Sequence, residues 1–268
     1  MTLLDDLLGD LAFEGLELRE VVAGLGESGW RTPTPAPGWD IATQVAHLAW
    51  TDEVAATAAS VAAGRAGAKE TWDEIVGEAL DDPEGFVDTE AKALATVPST
   101  DLLTHWDESR NALAQALREV PEGQRLPWFG PAMSPASMAT ARFMETWAHG
   151  LDVREALAHA YEPSDRIRHV CHLGVRTRDF AYVVRQLDPP ATQFRVELIA
   201  PSGELWAWGP ADAEQRVAGP AYDFARLVTQ RIHRDDTALV ATGAEATTWL
   251  TIAQAFAGTP GQGRPRRG

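Results

Sequence analysis

Glu145-Thr-Trp-Ala-His149, read with a distant His47 in Ile41-Ala-Thr-Gln-Val-Ala-His-Leu-Ala-Trp50, decides how the chain is expected to fold. Glu145 and His149 are four residues apart, so on a helix their side chains leave one face, one turn apart. A carboxylate and an imidazole at that spacing can grip one divalent metal, and His47 could add a third ligand from a second helix. Facing helices of a bundle build metal sites from such inward side chains. Two His and one Glu leave a position open for water or substrate, the pattern of a catalytic ion and not of a structural one. Spacing alone also allows a plainer reading, with Glu145 and His149 a solvated pair and His47 a satisfied core histidine. Asp152, three residues after His149, is either a hydrogen-bond partner that orients a ligand or an ordinary surface carboxylate.

Around this pair the chain reads as helical up to Asp188-Pro-Pro190. Leu4, Leu7, Leu8, Leu11, Leu18, Val22 and Leu25 recur at helical spacing and predict a first helix over 2–25. Thr32-Pro-Thr-Pro-Ala-Pro-Gly-Trp-Asp40 forbids helix, and Asp40 can cap the helix that carries His47 toward Gly64. Residues 65–98 are polar and acidic, with a short helix over 71–80 broken by Asp81-Asp-Pro83. An apolar stripe predicts a helix over 99–120, a loop follows over 121–131, and a long helix runs from Ser134 to Tyr161. One more helix is expected over 165–187. After the double proline, Phe194–Ile199 and Glu204–Trp208 alternate as two strands around a turn at Pro201-Ser-Gly203. A helix over 221–232, a short strand over 237–241 and a last helix over 244–257 complete the pattern. The expected class is α+β: a helical bundle over 1–188, a small α/β domain over 193–258 and a loose tail over 259–268.

Composition narrows the function. With 268 residues, 45% of them hydrophobic, the chain can bury a sizeable core. A formal net charge of -16 with no basic stripe argues against nucleic acid as a partner. The single cysteine, Cys171, excludes an intramolecular disulfide and any Cys-rich zinc site. The acidic N-terminus lacks the features of a signal peptide, and no apolar segment has the length of a membrane span. A soluble, cytoplasmic protein that acts on a small molecule, as monomer or homodimer, is the expectation. No phosphate loop, dinucleotide fingerprint or nucleophile elbow is present.

Pro35-Ala-Pro-Gly-Trp-Asp40, then Val45-Ala-His-Leu48, then Glu145-Thr-Trp-Ala-His-Gly-Leu-Asp-Val-Arg154 resemble the DinB-like metal-binding bundle. More closely, they resemble the mycothiol-dependent maleylpyruvate isomerase group of actinobacteria. The resemblance implies a four-helix bundle with an extra helix, and one divalent ion held by His47, Glu145 and His149. Zinc is the first expectation for that ion, with nickel or iron as alternatives. It further implies that the thiol of mycothiol serves as nucleophilic cofactor, adding to an activated double bond and leaving after rotation. An arginine of the C-terminal domain is implied as a carboxylate holder. Arg231 is the best match and Arg226 the competitor, and either could be a surface arginine. Leu126-Pro-Trp-Phe-Gly-Pro-Ala-Met-Ser134 departs from the isomerase pattern. It is either a loop over the metal mouth, with Trp128 and Met133 lining a substrate pocket, or a packed interhelix loop.

The leading expectation is a metal-dependent, mycothiol-dependent isomerase or thiol S-transferase acting on a small electrophile. One alternative is a thiol-independent lyase, hydrolase or cyclase of a natural-product pathway, with the ion as Lewis acid. The other is a non-catalytic protein that binds a metal or ligand.

Overall fold

Side-chain caps set the starts of three of the long helices. The computed structural model describes residues 2–258, 260–261 and 263–267; Met1 and three residues of the expected tail, Thr259, Gln262 and Gly268, lie outside them. Helix α1 (Leu3–Ala23) opens on a capping box in which Thr2 and Asp5 satisfy each other's backbone N–H groups. Helix α3 (Ile41–Ala62) starts at Asp40, whose carboxylate accepts from Thr43 N at 2.8 Å. Helix α7 (Pro135–Ala156) starts at Ser134, with Pro135 where its missing N–H costs nothing.

The chain divides into two compact units, Met1–Ala160 and Tyr161–Gly268. In the first, α1, α3, α6 (Ser99–Glu119) and α7 form a four-helix bundle, and α4 (Ala68–Asp81) and α5 (Phe86–Leu94) pack on α3. A single turn, α2 (Glu27–Trp30), follows α1. The central helix is α3. Ile41 through Ala49 are buried in an unbroken run, and Ala55, Ala58 and Ala59 let its neighbours approach closely. Around it lie Leu18, Val22, Trp30, Leu102, Trp106 and Val153. Truncating one such fully buried Trp typically costs about 3–5 kcal/mol.

The second unit carries a four-stranded sheet of order β2-β1-β3-β4, made of β1 (Arg195–Ile199), β2 (Leu205–Trp208), β3 (Arg216–Pro220) and β4 (Val240–Thr242). The pair β1/β2 is an antiparallel hairpin with Val196 opposite Trp208, while β3 runs parallel to β1 and antiparallel to β4. Its helices are α8 (Arg168–Arg176), α9 (Arg178–Val183), α10 (Ala221–Val228) and α11 (Ala244–Ile252). The architecture is α+β, as the sequence pattern indicates.

Several local expectations need correction. The helix expected over 165–187 is a 3-10 turn followed by α8 and α9, parted at Thr177, whose hydroxyl donates to Gln254 O at 2.7 Å. Segment 161–187, expected with the bundle, groups with the sheet. Helix α8 packs on α10: Gly174 lies against Val228 and Phe224, and the Cys171 thiol points to Ala221 O at 3.4 Å. Helix α7 ends at Ala156, well before Pro163, because Ala158 takes a left-handed conformation (φ 51°) and the chain reverses. Helix α5 and strand β3 were not expected. In the expected tail, Arg267 N donates to Asp236 Oδ2 at 2.8 Å.

Candidate metal centre

The segment before α3 is a folded loop. Thr34 N and Thr34 Oγ1 both donate to Trp39 O, at 2.8 and 2.9 Å, and Trp39 N donates to Ala36 O at 3.1 Å. Pro37 and Gly38 occupy the two central positions of that last turn, and Gly38 has φ +77°, a conformation that calls for glycine. The loop lays the Trp39 indole against two imidazoles, 5.3 Å from His47 and 5.8 Å from His149, nearly parallel to the latter. Trp39 Nε1 donates to Asp88 of α5, which fixes the ring from its far side.

The three residues marked by spacing meet. His47 on α3 faces Glu145 and His149 on α7, with Nε2 to Glu145 Oε2 distances of 3.5 Å for His47 and 3.1 Å for His149. One ligand atom from each lies within 4.8 Å of the others, and the two rings are 4.6 Å apart. The Glu145 side chain stays 23% exposed, so the cluster can be reached from solvent.

A chain of hydrogen bonds sets the tautomer of His149. Thr34 Oγ1 gives its only proton to Trp39 O, so it accepts from Gln44 Nε2 at 2.8 Å. That fixes the Gln44 amide with Oε1 toward His149 Nδ1, and an amide oxygen can only accept. A proton of the imidazole therefore sits on Nδ1, and Nε2 faces the Glu145 carboxylate at 3.1 Å.

Electrostatics point the same way. Burial, and then the nearby charge of His149, push the His47 pKa down to about 4 against the pull of Glu145, so His47 is neutral at neutral pH. Burial would raise Glu145, but hydrogen bonds with His149 and His47 outweigh it and hold the carboxyl well below its usual range. Two imidazoles and one carboxylate meeting at one place form a donor set that fits a divalent ion.

A second ion pair ties the same two helices together. Arg142, one turn before Glu145, donates to Asp52 Oδ1 at 2.8 Å and to Leu48 O at 3.3 Å. Both side chains are almost fully buried, 3% and 2% exposed.

The other residues singled out in the sequence fall as follows. Asp152 is buried on α7, and the Nδ1 partner of His149 is Gln44. Trp128 stacks 6.1 Å from Trp72 in an aromatic group with Phe129 and Phe86, and Phe86 meets Trp50 of α3 edge-on at 5.1 Å. Met133 pairs with Leu126 through both backbone hydrogen bonds, which closes the 126–133 loop into a tight hairpin. Arg231 lies in the second unit just after α10, with its guanidinium on Thr229 O at 2.6 Å, and Arg226 pairs with Asp223. Thr34, Gln44, Asp52, Asp88 and Arg142 were not singled out. Gln44 and Arg142 each precede a cluster residue by three, so helical spacing could have flagged them.

Residues 11–154 match the profile of the family described as "Mycothiol maleylpyruvate isomerase N-terminal domain". The chain belongs to this family. The matched region of the mycothiol maleylpyruvate isomerase N-terminal domain family contains His47, Glu145 and His149, with Trp39 and Gln44 beside them. Residues 190–242 match a second profile, described as "Wyosine base formation". Two uncharacterized proteins from strains of Mycobacterium tuberculosis are each 52% identical over 257 residues, 96% of this chain and 97% of theirs. Among solved structures, the mycothiol-dependent maleylpyruvate isomerase and a histidine-to-alanine mutant of it align with TM-score 0.61 over 100% of both chains, at 15% and 14% identity. At that identity the likeness speaks for the fold. Among the described residues no helix is long and apolar enough to cross a membrane.

Proposed function

We propose that the protein is a divalent-metal-dependent enzyme acting on a small electrophilic substrate, a mycothiol-dependent isomerase or thiol S-transferase. The observation that carries this reading is the convergence of His47, Glu145 and His149 at a place open to solvent. Family membership supports the thiol. Bound there, zinc, or nickel or iron in its place, would supply a Lewis acid that favours a thiol as thiolate, the nucleophilic form.

The chain's own residues prepare the site. His47 would be held as a neutral ligand by burial, and His149 would be oriented by its Nδ1–H bond to Gln44 so that Nε2 is the ligand atom. Glu145, already ionised, would balance part of the ion's charge. Trp39 covers one side of both rings and keeps water from it. Asp152, buried one turn beyond His149, would serve as a further support of the ligand helix. In the first unit, Trp128 and Met133 would supply an apolar wall for a substrate. In the second unit, Arg231 would be a guanidinium suited to holding a carboxylate.

Elemental analysis of the purified protein tests the metal. About one ion per chain, lost in His47→Ala and His149→Ala while the helical signal stays, is the expected result. Stoichiometric metal in both variants, or none in the parent after reconstitution, would overturn the site. Maleylpyruvate and other electrophiles with and without mycothiol then test the reaction. Turnover that needs the thiol supports the proposal, and equal turnover without it would replace it with thiol-independent Lewis-acid chemistry.

A further inference from the structure

The second unit holds a cavity of about 220 Å³ that the proposed chemistry does not use. Leu227 of α10 and Leu250 of α11 give it apolar lining, and Arg185, Arg234 and Arg264 converge on it. Three arginines around one cavity are unexpected in a chain of formal charge -16.

The charges of Arg185 and Arg234 are poorly balanced from within. Arg234 directs its guanidinium to neutral acceptors, Thr237 Oγ1 at 2.9 Å and Leu239 O at 2.8 Å. Arg185 Nη1 is shielded from solvent and meets no acceptor among the described residues. Burial disfavours its charge, yet a guanidinium stays protonated in proteins, so this N–H calls for an acceptor. The one carboxylate among the described lining residues, Asp235, has another cation near it, Arg266 at 3.8 Å. Gln230, also at the cavity, holds a left-handed backbone (φ 60°), which is uncommon for a residue with a side chain and recurs at ligand sites.

Apolar lining with a few converging charged groups is the make-up of a small-ligand site. Guanidinium forks match the oxygens of carboxylates and phosphates. We propose that this cavity binds a small organic anion through its carboxylate or phosphate oxygens, with Arg185 as the principal partner.

Calorimetric titration of the full-length protein at constant ionic strength, with succinate and with inorganic phosphate as probes, tests the proposal. The expected result is saturable binding of at least one probe, at least tenfold weaker in Arg185→Gln and partly restored in Arg185→Lys. Succinate alone would assign a carboxylate ligand, and phosphate alone a phosphorylated one. No saturable binding of either, or binding undiminished in Arg185→Gln, would overturn it. Should Arg185→Gln fail to fold by circular dichroism, Arg264→Gln takes its place with the same expectation. The binding is expected in both metal-loaded and chelator-treated protein, so its outcome is separate from that of the metal site.

Discussion

Residues Met1–Ala160 bury Glu14, Asp52, Arg142, Asp152 and Arg154 as well as His47, whereas Tyr161–Gly268 bury only Thr229 and Gln254 among their described polar side chains. The overall charge divides just as unevenly: 27 acidic against 10 basic residues in 1–160, a net -17, and 12 against 13 in 161–268, a net +1. Taking ionised groups out of water is expensive and is tolerated only where partners are fixed around them. The helical unit carries that cost along the α3–α7 seam, next to the His–Glu cluster. In the sheet unit, ion pairs such as Arg216–Glu197 stay in contact with water and leave the core apolar. Functional sites are where burial and charge are combined to shift pKa values, so the contrast supports the proposal that places the chemistry in the helical unit.

The severest test of this contrast is to remove one half of the buried pair. Arg142→Met takes from the buried Asp52 its principal partner, which is expected to cost about 3–5 kcal/mol in denaturant unfolding. The double variant Asp52→Leu with Arg142→Met should recover much of that loss, because no unpaired charge remains. Arg216→Met, which breaks a solvent-accessible pair of the sheet unit, should leave the unfolding midpoint close to the parent's. Equal losses for Arg142→Met and Arg216→Met would abolish the distinction between the two units.

Acid titration of the chelator-treated protein sharpens it. His47 has a folded pKa of about 4 against an ordinary value of 6.5, so between these pH values the unfolded chain binds a proton that the folded chain does not. Stability is then full above about pH 6.5 and falls as pH drops toward 4, by on the order of 2–3 kcal/mol. His47→Ala should flatten this slope. His172, in the sheet unit, is shifted the same way by partial desolvation but stays exposed, and His172→Ala should flatten it less. A slope unchanged in His47→Ala would mean that the imidazole is not held neutral in the fold.

What could be read in advance follows the same division. Glu145, His149 and His47 stood out because helix geometry converts a spacing of four into a shared face, and long helices are set by local caps and stripes. Gln44 did not, since an amide has no chemistry of its own until a partner shows what it orients. The Asp52–Arg142 pair was hidden because its partners are 90 residues apart in sequence. Strand β3, Arg216-Val-Ala-Gly-Pro220, offers one buried Val and no alternation, and only its place between β1 and β4 makes it a strand. Thr177, where α8 gives way to α9, sits in a stretch of helical pattern, and its hydroxyl reaches Gln254 O, 77 residues away in sequence.

Gln44→Ala probes the proposed ligand set without touching a ligand. It removes the acceptor that holds the His149 proton on Nδ1, and loss of such an outer partner typically weakens metal binding about 10–100-fold. Chelator competition would read this directly, with unfolding in the metal-free state as control. An unchanged affinity would show that His149 finds its tautomer and orientation without the Thr34–Gln44 relay.

The smallest expected effect concerns Trp39. Trp39→Phe keeps an aromatic ring over His47 and His149 but removes the N–H that reaches Asp88, a loss of about 0.5–1.5 kcal/mol in stability. Metal affinity should fall less than tenfold, because the ligands and Gln44 are untouched. Trp39→Ala removes the ring as well and admits water to that side of both imidazoles, so its effect on metal affinity should exceed that of Trp39→Phe. If Phe and Ala weaken the metal equally, the Asp88 bond positions the loop and the ring contributes nothing. If neither does, the loop serves only to start α3 at Asp40, and the chemistry of the helical unit rests on its buried polar seam alone.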